Sequence, residues 1–206
     1  MDGLLLDTES IAISTFVEAC KEYKFQPDMS VYHKCIGVDW STTLEILSKG
    51  YGNNFALEAI TNLWKEKIDQ EMLGKPMRTK TGVLKILTYL EKENVKMAVV
   101  TSTRTEIAQR ALYNAKIDRF FLFIMGGDQI ITSKPNPESY LTACHILDEK
   151  PSECLALEDS DNGVLAAFHA GLEVIQVPDL LPPSTEVRTL GHKIVESLEE
   201  VKNLLK

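Results

Sequence analysis

Residues 154–164 read Cys154-Leu155-Ala156-Leu157-Glu158-Asp159-Ser160-Asp161-Asn162-Gly163-Val164. A short apolar run ends on two adjacent carboxylates. A helical pattern follows over 161–170 and stops at Gly171. That order reads as strand, polar turn, helix. The same unit recurs upstream. Val95 to Val100 reads as a strand running into Thr101-Ser102-Thr103, with a helix at 105–115. Phe120 to Met125 reads as a strand broken by Gly126-Gly127, followed by the polar stretch Asp128 to Lys134 and a helix at 137–147. Glu173 to Val177 gives a further strand, and Lys193 to Val195 a short edge one. Strands alternating with helices predict right-handed crossovers and a mostly parallel sheet covered on both faces.

The first third of the chain has a different period. From about Ser10, the residues Phe16, Ala19, Cys20 and Tyr23 recur at i, i+3, i+4 and i+7, one face of a helix that Pro27 should stop. Residues 41–49 predict a short helix. Residues 55–73 predict a longer one with Ile60, Leu63, Trp64 and Ile68 inward, closed by Gly74 and Pro76. Nothing from 9 to 76 reads strongly as strand. After Pro76, the residues Val83, Ile86, Leu87 and Leu90 form a helix face ended by Asn94, a residue that tolerates the left-handed conformation. The expected organisation is an α/β core of residues 1–8 and 78–206 with an inserted helical segment, 9–77.

Composition narrows the function classes. The chain has 206 residues, 44% of them hydrophobic and 25% charged. That fits one domain, or one domain with an insertion, and excludes fibrous and disordered classes. No apolar run approaches the roughly 20 residues of a membrane span. Thirty acidic residues against 22 basic leave a net charge of -8. A nucleic-acid partner would want a basic footprint that is not visible here. Cys20, Cys35, Cys144 and Cys154 are scattered, without a Cys-x-x-Cys pair. Three lie in apolar periodic segments, where free Cys acts as a small hydrophobe. No signal peptide is visible, so a cytoplasmic protein is expected. His33, His145, His169 and His192 are too far apart to suggest a zinc motif.

Ligands of open parallel sheets bind at the carboxyl ends of the strands. The polar residues there are Thr101-Ser102-Thr103, the stretch Asp128 to Lys134, and Glu158-Asp159. Hydroxyls, a lysine and two carboxylates along one edge suit a phosphate with a divalent cation. Carboxylates hold Mg²⁺ through oxygen, and lysine and hydroxyl bind phosphoryl oxygens. Each feature also has a plain structural reading: a helix N-cap for Thr or Ser, a solvated loop for Lys134-Pro135, a dipole-favoured helix start for Glu158-Asp159-Ser160. Their joint placement at three successive strand ends weighs against those readings.

The residues also resemble a known family. Met1-Asp2-Gly3-Leu4-Leu5-Leu6-Asp7-Thr8-Glu9 resembles the first motif of the haloacid dehalogenase-like superfamily. Val99-Val100-Thr101-Ser102 is similar to its second motif. Ser133-Lys134-Pro135-Asn136-Pro137 is similar to the Lys-Pro-x-Pro segment of the third, and Leu157-Glu158-Asp159-Ser160-Asp161-Asn162-Gly163 resembles the fourth. Order, spacing and the helical insertion agree with the capped phosphatase and β-phosphoglucomutase-like branch. The resemblance implies a Rossmann-like parallel sheet, a helical cap over 9–77, and Mg²⁺-dependent phosphoryl transfer through an aspartyl-phosphate. It makes Asp2 the general acid–base, with its backbone carbonyl on the metal. Thr101 would hydrogen-bond the transferring group. Lys134 would balance charge, and Asp159 with Glu158 would complete the Mg²⁺ site. The expected partner is a small phosphorylated metabolite, a sugar phosphate or nucleotide, with no nucleic acid, no membrane and a monomeric chain.

One departure stands out. The family nucleophile lies two residues before Asp2, and the residues given start one before it. The apolar strand that carries it in the family lies between the strand ending at Thr101 and the one ending at Leu157, and is absent from these residues. The chain as given is therefore expected to be inert, with truncation preferred over evolutionary loss. A mutase would want a His where Ala12 stands and an Arg near Gly37, where Val38-Asp39-Trp40 occurs. Phosphatase is the first reading. A phosphomutase, a non-catalytic phospho-ligand binder of the same fold, and a receiver-like signalling domain are the alternatives. Ser102 and Arg104 are candidate substrate contacts, though Arg104 could equally cap a helix. Trp40 could stack on a substrate ring or pack the helical segment.

Overall fold

A computed structural model of the chain describes residues 1–38, 40–74 and 76–205. Asp39, beside Trp40 in the stretch noted above, lies outside them. The chain divides into two compact units, one of residues 1–7 with 76 onward, the other from residue 8 up to the start of the first.

The second unit is helical throughout its described residues. Its elements are α1 (Thr8–Glu22), α2 (Met29–Tyr32), α3 (Trp40–Tyr51) and α4 (Leu57–Gly74). Its core is aromatic. Phe16 sits 4.8 Å from the Tyr32 ring and 5.1 Å from the Trp64 ring, centroid to centroid. The Trp64 indole N–H donates to the Ala12 carbonyl at 2.9 Å, so its one polar atom is satisfied inside that core. Helix α1 does not reach Pro27. It stops at Glu22 because Lys24 adopts a left-handed φ of 53° and the Phe25 N–H turns back to the Cys20 carbonyl at 3.0 Å. Tyr23 thereby leaves the apolar face and is exposed. Ile60 and Trp64 are buried as the spacing requires, with Leu63 and Ile68 packed against them.

In the first unit the alternation predicted from sequence is present, with shorter strands. The order is α5 (Val83–Lys92), β1 (Ala98–Val100), α6 (Thr105–Asn114), β2 (Phe123–Met125), α7 (Glu138–Leu147), β3 (Leu155–Glu158), α8 (Asp161–His169), β4 (Glu173–Gln176), α9 (Thr185–Arg188), β5 (Lys193–Ile194) and α10 (Leu198–Leu204). Local turns take the missing strand residues. The Val95 N–H is spent on the Leu90 carbonyl at the end of α5, and residues 118–120 close a 3₁₀ turn before β2. Sequence periodicity missed α2, α9 and α10, which are four to seven residues long. Ser184 caps α9 through the Val187 N–H. Leu198 and Val201 bury α10.

All strand pairings are parallel: β1 with β2, and β3–β4–β5 in order. Among the described residues, β1 and β3 each pair on one side only. Between their other edges lies an apolar cavity of about 750 Å³ lined by Met1, Leu5, Val99, Val100, Ala156 and Leu157 among others. This is the place where the family resemblance puts one more strand.

The thiols are chemically quiet in this fold. Burial pushes Cys20 and Cys35 up to about 11 and Cys144 up to about 12. Little thiolate exists at pH 8, and the thiolate is the nucleophile. In a thiol-exchange assay with a chromogenic disulfide, at most the half-buried Cys154 should react promptly in the native chain. All four should react in denaturant. Prompt native labelling of Cys20 or Cys35 would contradict the packing.

Candidate active site

The site grows from the ends of three strands and the first loop. Residues 1–6 form a tight loop closed by Leu5 N–H to the Met1 carbonyl at 2.8 Å and Gly3 N–H to the Leu6 carbonyl at 3.0 Å. Leu6 is fully buried and anchors it. The Lys80 N–H donates to the Leu5 carbonyl, and the Asp7 N–H to the Arg78 carbonyl, pinning the loop to the chain before α5.

That loop delivers Asp2 to the end of β1. Its Oδ2 accepts from the Thr101 hydroxyl at 3.2 Å and from the Thr103 hydroxyl at 2.8 Å. Thr101 is buried, and its Oγ1 also accepts the Thr103 N–H at 3.1 Å. Asp2 and Thr101 are thus in direct contact, as a shared site requires. Thr103 was not singled out from sequence as a site residue, although it stood in the polar stretch after β1. Only the turn geometry shows that its hydroxyl folds back on Asp2.

Lys134 comes from the loop ahead of α7. Its ammonium donates to the Val100 carbonyl at 3.2 Å and to Glu158 Oε1 at 2.5 Å, and sits 4.9 Å from the centre of the Tyr140 ring. The lysine and glutamate side chains are 10% and 6% exposed, so this is a buried ion pair that bridges the ends of β1 and β3. The Tyr140 hydroxyl donates to the same Glu158 oxygen. Burial works against a charged Glu158, but Lys134 and the Tyr140 hydroxyl hold its carboxyl below the usual range. Burial and the Glu158 charge push Asp159 the other way, up to about 7, with Asp2 adding to the rise. The two adjacent acids are thus shifted in opposite directions, with Lys134 paired to Glu158 and the Glu158 charge set against Asp159.

Two glycines make these approaches possible. A Cβ on Gly163, in the first turn of α8, would collide with the Glu158 carboxylate. Gly3 has a φ of 70°, and a Cβ there would lie 2.6 Å from Asp159 Oδ2. The missing side chain at Gly3 is what lets that carboxylate oxygen come so close. The residues thus fit a hard cation held through oxygen near Asp2 and Asp159. Glu158, expected beside Asp159 on a metal, is engaged as the counter-ion of Lys134. Among the described residues no three His, Cys, Asp or Glu side chains are gathered into a metal-binding group.

Ser102 and Arg104 are exposed. Arg104 occupies the N-cap position of α6 without a side-chain cap bond. Asp128 does the capping instead, its Oδ1 accepting from the Thr105 N–H at 2.6 Å and the Thr105 hydroxyl at 2.8 Å. Trp40 lies in the helical unit, 41% exposed, with its ring 5.5 Å from that of Trp64.

Comparison with known proteins gives this geometry a context. The haloacid dehalogenase-like hydrolase family matches residues 1–177. The whole chain is 28% identical, over 210 aligned residues and 95% of the other protein's length, to the phosphorylated carbohydrates phosphatase of Thermotoga maritima. Its fold is similar to that of a haloacid dehalogenase family hydrolase from Deinococcus radiodurans, solved with phosphate and sodium. The TM-score is 0.81 at 20% identity, covering 100% of this chain and 92% of that one. It is also similar to CbbY from Rhodobacter sphaeroides, solved with xylulose-1,5-bisphosphate. There the TM-score is 0.77 at 21% identity, covering 97% and 92%. With the family matched over most of its length and the strand-end polar residues gathered as described, the chain belongs to the haloacid dehalogenase-like hydrolases, in their phosphatase branch.

Proposed function

We propose that these residues carry the acid–base, phosphate-binding and metal-holding groups of a Mg²⁺-dependent phosphohydrolase acting on a small phosphorylated metabolite, a carbohydrate phosphate first. The observation that carries this reading is the hydrogen-bonded cluster of Asp2, Thr101 and Thr103 at the end of β1, tied through Val100 to the buried Lys134. The name of the Thermotoga relative supports the carbohydrate class.

On this reading Asp2 gives its proton to the leaving oxygen and then takes one from the attacking water. Thr101 and Thr103 fix the carboxylate that must do both. An ammonium has three N–H donors. Lys134 spends two on Val100 and Glu158, so the third can meet a phosphoryl oxygen. Glu158 holds that lysine in place. Asp159 and the Asp2 carbonyl are the residues to hold Mg²⁺, which when bound would offset phosphoryl charge. The nucleophile that the resemblance places directly ahead of Met1 is not among the residues given. The polypeptide 1–206 alone is therefore expected not to form the phospho-enzyme.

The test uses the chain extended by an apolar strand ending in Asp. Asp2→Asn should slow its turnover of a sugar phosphate by about 10²–10⁴-fold. The loss should be smaller for p-nitrophenyl phosphate, whose leaving group departs without a proton. Thr103→Val removes one hydrogen bond to a carboxylate and should cost roughly 10-fold in kcat. Full activity of the Asp2→Asn form on the sugar phosphate would sink the acid–base assignment.

A further inference from the structure

Asp179 was not singled out from sequence, and the roles above leave it unused. It follows β4 by three residues. β4 runs parallel to β3 with Gln176 opposite Glu158, so Asp179 and Asp159 leave neighbouring strands at the same edge of the sheet. The Asp179 side chain is only 8% exposed. Lys80, next to the pinned first loop, pairs with its Oδ1. Its Oδ2 is buried and has no hydrogen-bond partner among the described residues. A buried carboxylate oxygen left without a donor is costly.

That oxygen lies beside the bare backbone of Gly3. A Cβ built on Gly3 would lie 2.6 Å from Asp159 Oδ2 and 3.1 Å from Asp179 Oδ2. Two carboxylate oxygens thus converge on the bare α-carbon of Gly3, where a side chain could not be accommodated. Lys80 answers the charge on the far oxygen of Asp179 only. A hard cation, or a water bound to one, supplies what Asp179 Oδ2 lacks.

We infer that Asp179 is a positioning residue for the divalent cation: held by Lys80, it presents Oδ2 beside Asp159 across Gly3, to the cation or to a water on it. This rests on the metal-holding role proposed above for Asp159.

The test is Mn²⁺ binding to the 206-residue chain, read from the electron paramagnetic resonance signal of the free ion. Asp179→Asn should weaken binding about 10–100-fold, the range for partners that orient metal ligands. Asp159→Asn should weaken it at least as much. The double variant Lys80→Met, Asp179→Asn removes the whole ion pair and leaves no unpaired ammonium. It should show the same loss, with circular dichroism confirming the fold. If Asp159→Asn weakens Mn²⁺ binding and both Asp179 variants do not, the inference is overturned and the metal site stands. If the unsubstituted chain binds no Mn²⁺, both are overturned.

Discussion

Adding an apolar strand that ends in Asp directly ahead of Met1 is expected to raise Mg²⁺-dependent phosphatase activity far above that of residues 1–206 alone. The rate gain should be on the order of 10³-fold or more, since removing a covalent nucleophile from a unit that acts as a whole is among the largest losses an active site suffers. The physical case is the cavity between β1 and β3, about 750 Å³ and lined by apolar side chains from both strands. A strand seated there would gain two parallel partners and place its last carboxylate next to Asp2, Thr101 and Lys134. Stability should rise too. Each buried apolar side chain contributes roughly 2 kcal/mol, and ordering each residue costs about 1–2 kcal/mol. Five residues then leave a net of about 0–5 kcal/mol, to which the hydrogen bonds of two parallel ladders add. Hydrolysis of p-nitrophenyl phosphate and urea unfolding, each run on both forms, check the two halves separately. Equal turnover by both forms would refute the assignment of the nucleophile. A folded, stabilised but inert extended form would instead favour a phospho-ligand-binding role.

Glu158→Ala is expected to destabilise the first unit by about 3–5 kcal/mol, the usual cost of stripping one partner from a buried ion pair. Lys134 would lose its counter-ion while almost fully enclosed, with the Val100 carbonyl and the Tyr140 ring beside it. For a protein of this size each kcal/mol moves the melting temperature by about 2–4 °C, so a fall of roughly 10 °C is expected. Removing the pair entirely, as Lys134→Met with Glu158→Gln, should recover much of that stability while leaving no cation for phosphate. Thermal melts of Lys134→Met, Glu158→Gln and the double variant measure the coupling. If Glu158→Ala melts like the parent chain, the buried pair does not hold β1 and β3 together as described.

The alternation of short apolar runs with helical periods was sufficient to foresee a parallel α/β unit and a helical unit, because burial periodicity is written locally along each element. The polar residues after each strand were legible for the same reason. A parallel sheet puts all its carboxyl ends on one edge, so Thr101, Lys134 and Glu158-Asp159 had to be neighbours. The family motifs then assigned them roles. Element ends were less legible. Pro27 marks a stop, yet α1 ends at Glu22, because Lys24 accepts a left-handed turn that no composition rule requires.

What only the tertiary structure decided is how each polar atom is spent. Whether Arg104 or Asp128 caps α6 depends on a loop 23 residues further on folding back to Thr105. That Glu158 serves Lys134 depends on Tyr140 and on the bare backbone of Gly163. The placement of Asp179 against Gly3 depends on strand register, which brings together residues more than 170 positions apart. Sequence determined which chemistry is present and on which edge of the sheet it lies. The fold determined which carboxylate oxygen meets a cation side chain and which is left buried without a donor, because charge pairing in a low-dielectric interior is settled by distances that sequence separation does not encode.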